Sequence, residues 1–493
     1  MASFPLLLSA HLGDFQVQLA YNGQVLQFDL PEVEVSKQQA GCLPCGPTAS
    51  SGFRVFKTVE ILNISISQEH SLVIAACAPK HGVDKESVLE IFTFNVKDLA
   101  LTSQWRTDVL NHVYKGIKKG RHFKILVNPF GGQGHAKRIW EHTAEPLFKA
   151  AGCTYDLTYT THRYHAKEIA RDLDIRAYDA IVSVSGDGVI HEVINGLMER
   201  PDAIIAHKLP LGAVPGGSGN ALSFSLLGEK HGAHVANAVL NIVKGKAMPV
   251  DLCSVTQGDS SRFFSFELQS FGLIADVDLG SEHLRWMGEA RFTFSAVGKL
   301  LSQATYPCEL AYIPAENNIK KIQEQYNEYR NQPVIWADQT HDELDQDHRT
   351  IIDRYGRVSD PLKENDGWVV EKDHYATVVG AKLPWISKGS VSHPAAQPND
   401  GLIDLLIFPK DLGRMAGVQI MIGVETGVHV FHEKVRYLKV KAFRLSPQNQ
   451  SGYISMDGEH TPYAPYQVEA HRGLVSVLSI EGRYARSMSG GSK

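Results

Sequence analysis

The sequence predicts an α/β protein with an all-β portion. A β-rich N-terminal domain is expected over residues 1–118, a doubly wound α/β domain over 119–250 and a β-sandwich domain over 251–486. Three observations predict this. Up to residue 94, short apolar runs with strand-like alternation sit between turns. From residue 122, strand-like runs alternate with helical ones, the mark of a parallel sheet wound on both faces. After residue 250, helical patterns thin out and strands dominate.

Composition bounds the class. A chain of 493 residues is too long for one typical domain. Its 43% hydrophobic and 21% charged residues fit a globular protein, and a net charge of −5 argues against a binder of polyanions. No apolar run approaches the roughly 20 residues that span a bilayer, and the N-terminus lacks a signal-peptide pattern. The scattered cysteines, Cys42, Cys45, Cys77, Cys153, Cys253 and Cys308, fit reduced, cytoplasmic usage. Cys42 and Cys45 form a C-x-x-C, but no second pair completes a zinc site and no thioredoxin-like pattern surrounds them. Ordinary loop thiols and reversible acylation, which would add a membrane anchor, both stay open. No protein-held metal is expected.

The first domain begins with a hairpin, Phe15–Leu19 and Val25–Phe28, for which Asn22-Gly23 predicts a type I′ turn. A turn-rich loop follows at about 36–52, then strands at Val55–Leu62, Ser71–Ala76 and Val88–Phe94, and a helix at about Ala100–Ile117. Strands closed by one C-terminal helix make a pleckstrin-homology-like layout. Lys115, Lys118, Lys119, Arg121 and Lys124 form a basic linker, read as a solvated hinge or an anionic-membrane contact.

In the second domain four strands are expected: Phe123–Val127, Tyr155–Thr160, Ile181–Val184 and Leu211–Val214. The first, third and fourth run into glycine corners: Asn128-Pro129-Phe130-Gly131-Gly132-Gln133-Gly134, Ser185-Gly186-Asp187-Gly188, and Pro215-Gly216-Gly217-Ser218-Gly219-Asn220. Ligands of such sheets bind beyond the carboxyl ends of the strands, so the three corners should converge. Each offers backbone N–H groups ahead of a helix, a setting that favours phosphate. Neither the Walker A ending nor the G-x-G-x-x-G spacing of a dinucleotide site is present. A nucleotide triphosphate site with Asp187 at its centre is the reading that follows.

The last domain should hold strands at Asp251–Val255, Phe263–Leu268, Glu309–Ile313, Trp368–Val379, Leu402–Phe408, Val435–Leu445, Tyr453–Met456 and Leu474–Glu481. Two longer helices are expected at about 281–303 and 411–429. The polar stretch 314–366 reads as a charged surface insertion, partly disordered.

Seven ordered stretches across 122–484 carry a family resemblance. They are Ile125–Gly132, Ser185–Leu197, Pro215–Leu222, Gly272–Leu279, Arg285–Phe292, Asn399–Leu405 and Met456–Glu459. In these the sequence resembles the diacylglycerol-kinase catalytic family, and within it the sphingosine (sphingoid long-chain base) kinases. Asp276-Val277-Asp278 and Arg285-Trp286-Met287-Gly288 point to sphingoid bases rather than diacylglycerol.

The resemblance implies a kinase using ATP and Mg2+ to phosphorylate the primary hydroxyl of sphingosine, dihydrosphingosine or phytosphingosine. It implies that Asp187 takes the hydroxyl proton, which suits phosphoryl transfer, a reaction run mainly by positioning. Nucleotide contacts are implied at Asn128, Gly131, Gly132, Gly134, Thr160, Gly186, Gly188, Gly217, Ser218, Gly219, Asn220, Asp457 and Glu459. Arg285 and Arg291 would clamp phosphate. Asp278 would meet the ammonium of the sphingoid head group, and physics agrees: a neutral lipid would leave that carboxylate unpaired. Some relatives carry a serine ten residues before this Asp; here it is Leu268.

The acyl tail needs an apolar cavity, expected near Phe271, Ile274, Val277 and a helix carrying Met415, Val418, Met421 and Ile422, with His429 as a further lipid-pocket match. Ordinary core packing is the competing reading for these. His191 and Glu192 either orient Asp187 or lie on a helix face. The expected setting is cytoplasmic with peripheral membrane association. Alternatives are a diacylglycerol or ceramide kinase, a NAD kinase, and a catalytically silent lipid sensor. Neither ceramide nor diacylglycerol carries the ammonium for which Asp278 is suited.

Overall fold

The computed structural model describes residues 4–30, 52–67, 69–79, 86–131, 134–258, 261–280, 304–337, 353–362 and 366–488. Cys42, Cys45, Gly132, Arg285, Arg291 and the helix expected over 281–303 lie outside the described residues. The chain divides into two compact units, one of residues 1–122, 140–155 and 234–245, the other of 123–139, 156–233 and 246–493.

The first unit holds β1 (Leu6–Leu12), β2 (Phe15–Tyr21), β3 (Val25–Leu30), β4 (Gly52–Lys57), β5 (Ile61–Ile66), β6 (Ser71–Pro79), β7 (Ser87–Asn95) and α1 (Leu99–Val113). The strands form one antiparallel sheet in the order β4-β3-β2-β1-β7-β6-β5. Alternation puts Leu8, Leu19, Phe28 and Phe94 into a core that α1 closes with Trp105 and Val109. Asp98 caps α1 by accepting the Leu101 N–H, and the Trp105 indole donates to the Leu6 carbonyl.

One expectation fails here. The β2–β3 turn is not type I′, which needs positive φ at both central residues. Gly23 has φ +91°, but Asn22 is not among the left-handed residues. The Asn22 side chain makes the turn instead, accepting the N–H groups of Gln24 and Val25. In the basic linker Lys115, Lys118 and Lys119 are exposed, and Arg121 donates to the Ile242 carbonyl.

Beyond α1 the chain runs β8 (His122–Val127), α2 (Ala136–Ile139), α3 (Glu145–Ala150), β9 (Thr154–Tyr159), α4 (His165–Asp172), β10 (Ala180–Ser185), α5 (Asp187–Met198), α6 (Ala203–Ala206), β11 (Leu211–Pro215), α7 (Ala221–His231) and α8 (Val235–Lys244). It continues through β12 (Lys246–Gln257), β13 (Ser261–Ser265), β14 (Leu268–Gly272), α9 (Leu273–Gly280), β15 (Tyr306–Glu316), α10 (Ile319–Asn331), β16 (Val369–Ala381), β17 (Trp385–Ser387), β18 (Ser390–Val391), β19 (Ile403–Pro409), α11 (Arg414–Gly423), β20 (Arg436–Pro447), β21 (Ile454–Met456), β22 (Glu459–Thr461) and β23 (Tyr466–Ser479).

In the second unit β10 lies between β8 and β11, parallel to both. Every residue of β10 is buried, as a central parallel strand requires. α5 packs on α4 so closely that a Cβ on Gly196 would stand 2.2 Å from the Lys167 carbonyl oxygen. β11 pairs with β23 at Leu211 and Val477, and β23 pairs along its length with β12. One sheet thus passes from the parallel strands into antiparallel ones, ordered β23-β20-β15-β16-β14-β21-β22.

Within the polar stretch 314–366, the described residues include α10 and a segment bound to the sandwich, which the expectation of a partly disordered insertion did not foresee. Asn318 caps α10 by accepting from Lys320 and Lys321, and Ile322 and Tyr326 bury one face of it against Val379 and Leu406. Two apolar anchors one turn apart suffice; the charges form the solvent face. Residues 354–360 are pinned to the sandwich. Glu469 accepts the N–H groups of Arg354 and Tyr355, and Arg444 donates to the carbonyls of Arg357 and Asp360. The helix expected over 411–429 is the shorter α11 followed by a 3-10 turn at Val428–Phe431, the break falling at Gly427 with φ +75°.

Candidate active site

The parallel strands bring the glycine corners together. Gly216 N–H donates to the Ser185 carbonyl at 3.0 Å, and Asn128 N–H to the Val184 carbonyl at 3.3 Å. A Cβ on Gly217 would lie 2.3 Å from Gly186 Cα, so the second and third corners touch backbone to backbone. A Cβ on Gly131 would lie 3.1 Å from Asn128 Nδ2 and 3.3 Å from Ser185 Oγ. Gly134, with φ +76°, closes the first corner by donating to the Gly131 carbonyl. Two of the corners open α5 and α7, whose N-termini favour an anion.

The polar side chains of the corners mostly shape them. Asn220, itself left-handed at φ 60°, accepts from Gly216 and Gly217 N–H and donates to the Gly217 carbonyl. Asn128 accepts from Phe130 N–H. Ser218 is exposed, Thr160 is buried at the end of β9, and Gly188 faces open space, with nothing within 4 Å of where its Cβ would be.

Asp187 is partly buried at the first turn of α5. Its carboxylate caps α7, accepting Ala221 N–H at 2.7 Å and Leu222 N–H at 3.1 Å. Burial raises its pKa, the two N–H groups oppose the rise, and Asp457 adds to it. The net upward direction makes it a better proton acceptor than an ordinary surface Asp. A Cβ on Gly219 would stand 3.2 Å from Asp187 Oδ2, so the third corner borders the carboxylate. One turn on, Glu192 caps α4 by accepting from Tyr164 and Ala166. Both acids of α5 therefore anchor neighbouring helices, and Glu192 does not orient Asp187.

The Asp-Gly-Glu stretch does something other than meet nucleotide with both acids. Asp457 and Gly458, at φ 53° and 78°, form the two-residue turn between β21 and β22. The Asp457 carboxylate is buried and taken up by protein donors. Oδ1 accepts from Ser265 Oγ, Glu267 N–H and Leu268 N–H, and Oδ2 from Phe266 N–H and the His191 ring at 2.8 Å. Its expected nucleotide role gives way to that of a clasp holding the β13–β14 corner against α5. Asn195 doubles the link, bonding both N–H and carbonyl of Phe264. Glu459 is half-exposed and ion-paired with Arg163, in the loop that follows Thr160.

The expected lipid residues separate. Asp278, half-buried on α9, accepts from Ser455 Oγ at 2.6 Å, while the neighbouring Asp276 is buried and bonded by the Tyr306 hydroxyl. Phe271 is fully buried in the sandwich core with Tyr306, Val378 and Phe443. Strand alternation sends Leu268 to a different cluster, shared with Val379 and Ile420, on which Ile274 packs. Phe271 and Ile274 therefore do not line one cavity. Val277 is buried and Met421 half-buried, but Met415, Val418 and Ile422 are exposed on one face of α11 rather than walling a pocket. His429 is buried, its Nε2 on the Ser392 carbonyl; burial lowers its pKa to about 4, so it is neutral.

Glu267 escaped sequence reasoning, because it lies inside an expected strand. It falls between β13 and β14, half-buried. Burial pushes its pKa well up, and Asp187, Asp457 and Asp278 push it further. An acid between Phe266 and Leu268 was the only signal.

Comparison with known proteins gives the family. The diacylglycerol kinase catalytic domain family matches residues 122–255, and the YegS C-terminal NAD kinase beta sandwich-like domain family matches 361–479. Sphingoid long chain base kinase 4 of Schizosaccharomyces pombe is 33% identical over 373 residues, covering 75% of this chain and 78% of its own. Sphingosine kinase 1 of Arabidopsis thaliana is 35% identical, covering 74% and 77%. Human Sphingosine kinase 1 is 31% identical, covering 72% and 90%. A solved structure from Bacillus anthracis, assigned as a diacylglycerol kinase, shares the fold with a TM-score of 0.50 at 18% identity, over 73% of this chain and 96% of its own. The chain belongs to the sphingoid base kinases, a branch of the family built on the diacylglycerol kinase catalytic domain.

Proposed function

We propose that the protein transfers the γ-phosphoryl group of ATP to the primary hydroxyl of a sphingoid base, giving the 1-phosphate. The observation that carries this is the meeting of three glycine corners around one carboxylate of raised pKa, Asp187. The Gly186–Gly217 contact leaves no room for side chains, which suits backbone donors approaching phosphate. The phosphates would lie along Gly131, Gly186, Gly188, Gly217 and Gly219, with the Ser218 hydroxyl at the mouth. Mg2+ fits as a companion of the phosphates. No group of three metal-ligating side chains occurs among the described residues, and Mg2+ commonly takes few protein ligands beside a nucleotide. When bound, it would neutralise charge on the transferring group. Asp187 accepts the hydroxyl proton as the phosphoryl group arrives. Asp278 supplies the carboxylate for the ammonium, and Arg285 and Arg291 remain candidates for the phosphate.

The N-terminal unit supports peripheral recruitment to a membrane from the cytoplasm. Seven antiparallel strands in the order β4-β3-β2-β1-β7-β6-β5, closed by α1, suit a pleckstrin-homology-like domain. Acylation at Cys42 or Cys45 is the companion proposal.

The test is transfer of label from ATP with Mg2+ to sphingosine, dihydrosphingosine, phytosphingosine, ceramide, diacylglycerol and NAD, with Asp187→Asn alongside. Labelled sphingoid base, lost in the variant while ATP still binds, is the expected result. Label on diacylglycerol or NAD alone would overturn the reading.

A further inference from the structure

Strand alternation sorts β14 into two faces. Phe271 points into the sandwich core with Val378, Ile454 and Met456, while Leu268 joins Val379 and Leu406 on the other face. Ser270 is two residues from Leu268, so its side chain lies on the Leu268 face. The ladder supplies its neighbours there. Ser455 of β21 stands opposite it on one side and Val379 of β16 on the other. Val379 pairs in turn with Leu406 of β19. A row of side chains thus crosses the sheet, Ser455–Ser270–Val379–Leu406, one to a strand, with strands about 4.8 Å apart. Along it the surface changes from hydroxyl to hydrocarbon.

α9 lies over this row. Ile274, in its first turn, packs on the Leu268 cluster, and one turn later Asp278 accepts from Ser455 Oγ at 2.6 Å. Ser270 sits beneath, fully buried, and its Oγ has no hydrogen-bond partner among the described residues. Ser455 does not serve as its acceptor's donor, since that proton is directed at Asp278. Buried hydroxyls are normally paired, and one left alone beside Leu268 and Val379 weakens the fold rather than supporting it.

The order of groups along the row matches one of the three sphingoid bases. Each carries its ammonium on C2 and a hydroxyl on C3. Phytosphingosine alone has a further hydroxyl on C4, after which the chain is hydrocarbon. With the ammonium at Asp278, above Ser455, the C3 hydroxyl stays within reach of that same carboxylate. The C4 hydroxyl falls about one strand spacing along, at Ser270, and the hydrocarbon follows over Val379 and Leu406.

We infer that Ser270 is a specificity-determining residue that hydrogen-bonds the C4 hydroxyl of phytosphingosine, the head group entering between α9 and the sheet. This rests on the sphingoid-base reading. Each hydroxyl can donate or accept, so the pair is satisfied in either sense. A base without the C4 hydroxyl leaves Ser270 unpaired, as it is in the free protein, and loses that contact.

The experiment compares phytosphingosine with dihydrosphingosine, which differs from it by that hydroxyl alone, as substrates of the full-length enzyme with labelled ATP. Ser270→Ala should lower kcat/KM for phytosphingosine about tenfold, the worth of one lost hydrogen bond, and leave that for dihydrosphingosine unchanged. Ser270→Thr, which keeps a hydroxyl and suits a strand, should hold the ratio of the two near the wild-type value. Without lipid, the melting temperature of Ser270→Ala should equal or exceed that of the wild type, because a structural hydroxyl would be missed and an orphaned one would not. Equal losses on both bases, or a lowered melting temperature with the ratio unaltered, would show a structural role and overturn the inference. If both bases are phosphorylated and Ser270→Ala leaves their ratio unaltered, the inference falls and the sphingoid-base reading stands. If the wild type labels neither base, that reading falls with it.

Discussion

The contact between Gly186 and Gly217 can be perturbed by one methyl group. In Gly217→Ala the new Cβ would meet Gly186 Cα at 2.3 Å and Gly186 N at 2.5 Å. Ordinary contact begins near 3.4 Å, so the two corners must part by about 1 Å. The obstacle is backbone and no rotamer relieves it. Overpacking of this kind costs about 1–3 kcal/mol of stability. The larger effect is on catalysis, where a displacement of about 1 Å between reacting groups can cost about 100-fold in rate. Gly188→Ala is the companion. Its Cβ meets nothing within 4 Å, and it lies in the first turn of α5. Without ligand this variant should be more stable by about 0.5–1 kcal/mol, since alanine suits a helix better than glycine. Yet it should bind ATP more weakly if phosphate occupies that space. Urea unfolding measures the first quantity, and steady-state kinetics with labelled ATP the second. Full activity in Gly217→Ala would refute the convergence of the corners as the basis of catalysis. Unchanged ATP affinity in Gly188→Ala would remove phosphate from the α5 N-terminus.

Three further outcomes are expected. Asp457→Asn keeps the shape but turns one acceptor into a donor facing Phe266 N–H or its neighbours, so unfolding should show a loss of about 1–3 kcal/mol; no loss would mean the clasp is idle. Lys382→Met strands Asp251 and Asp400, each within 3.0 Å of the ammonium in the sandwich interior, and should cost about 3–5 kcal/mol in denaturant titration. Glu469 is buried, which raises its pKa to about 7 against the pull of the Arg354 and Tyr355 N–H groups. A carboxyl raised in the fold stabilises it at low pH and loses that contribution as pH rises through the folded value. Stability should therefore decline between about pH 5 and 7, and Glu469→Gln should flatten the decline in a series of melting curves.

The site was legible where local pattern implies topology. Strand-then-glycine corners in a parallel sheet must gather at one edge, and Asp187 falls there without any knowledge of its partners. What could not be read depends on partners distant in sequence. Asp457 looked like a nucleotide contact because its neighbours in the chain say nothing of Ser265, Phe266 or His191. Turn chemistry was recognised in kind but misplaced: Asn22-Gly23 has the composition of a type I′ turn, yet the paired left-handed residues are Asp457 and Gly458. Phe271 and Ile274 sit three residues apart, and only the end of β14 between them shows that they serve different cores. α10 hid behind its charges, since two buried residues in thirteen leave little period to detect.

The pairing of β11 with β23 bears on how the chain is made. Leu211 waits for Val477 before the parallel strands have their neighbour on that flank. During synthesis the ribosome must deliver nearly the whole second unit while an apolar parallel strand lies open. Long-range pairings of this sort fold slowly and leave edges that aggregate. A ribosome paused before β23 would therefore carry a nascent chain whose glycine corners are already translated but whose sheet is still open, a natural client for chaperones. Expression yield should respond more to changes in β23 than to changes in the corners themselves.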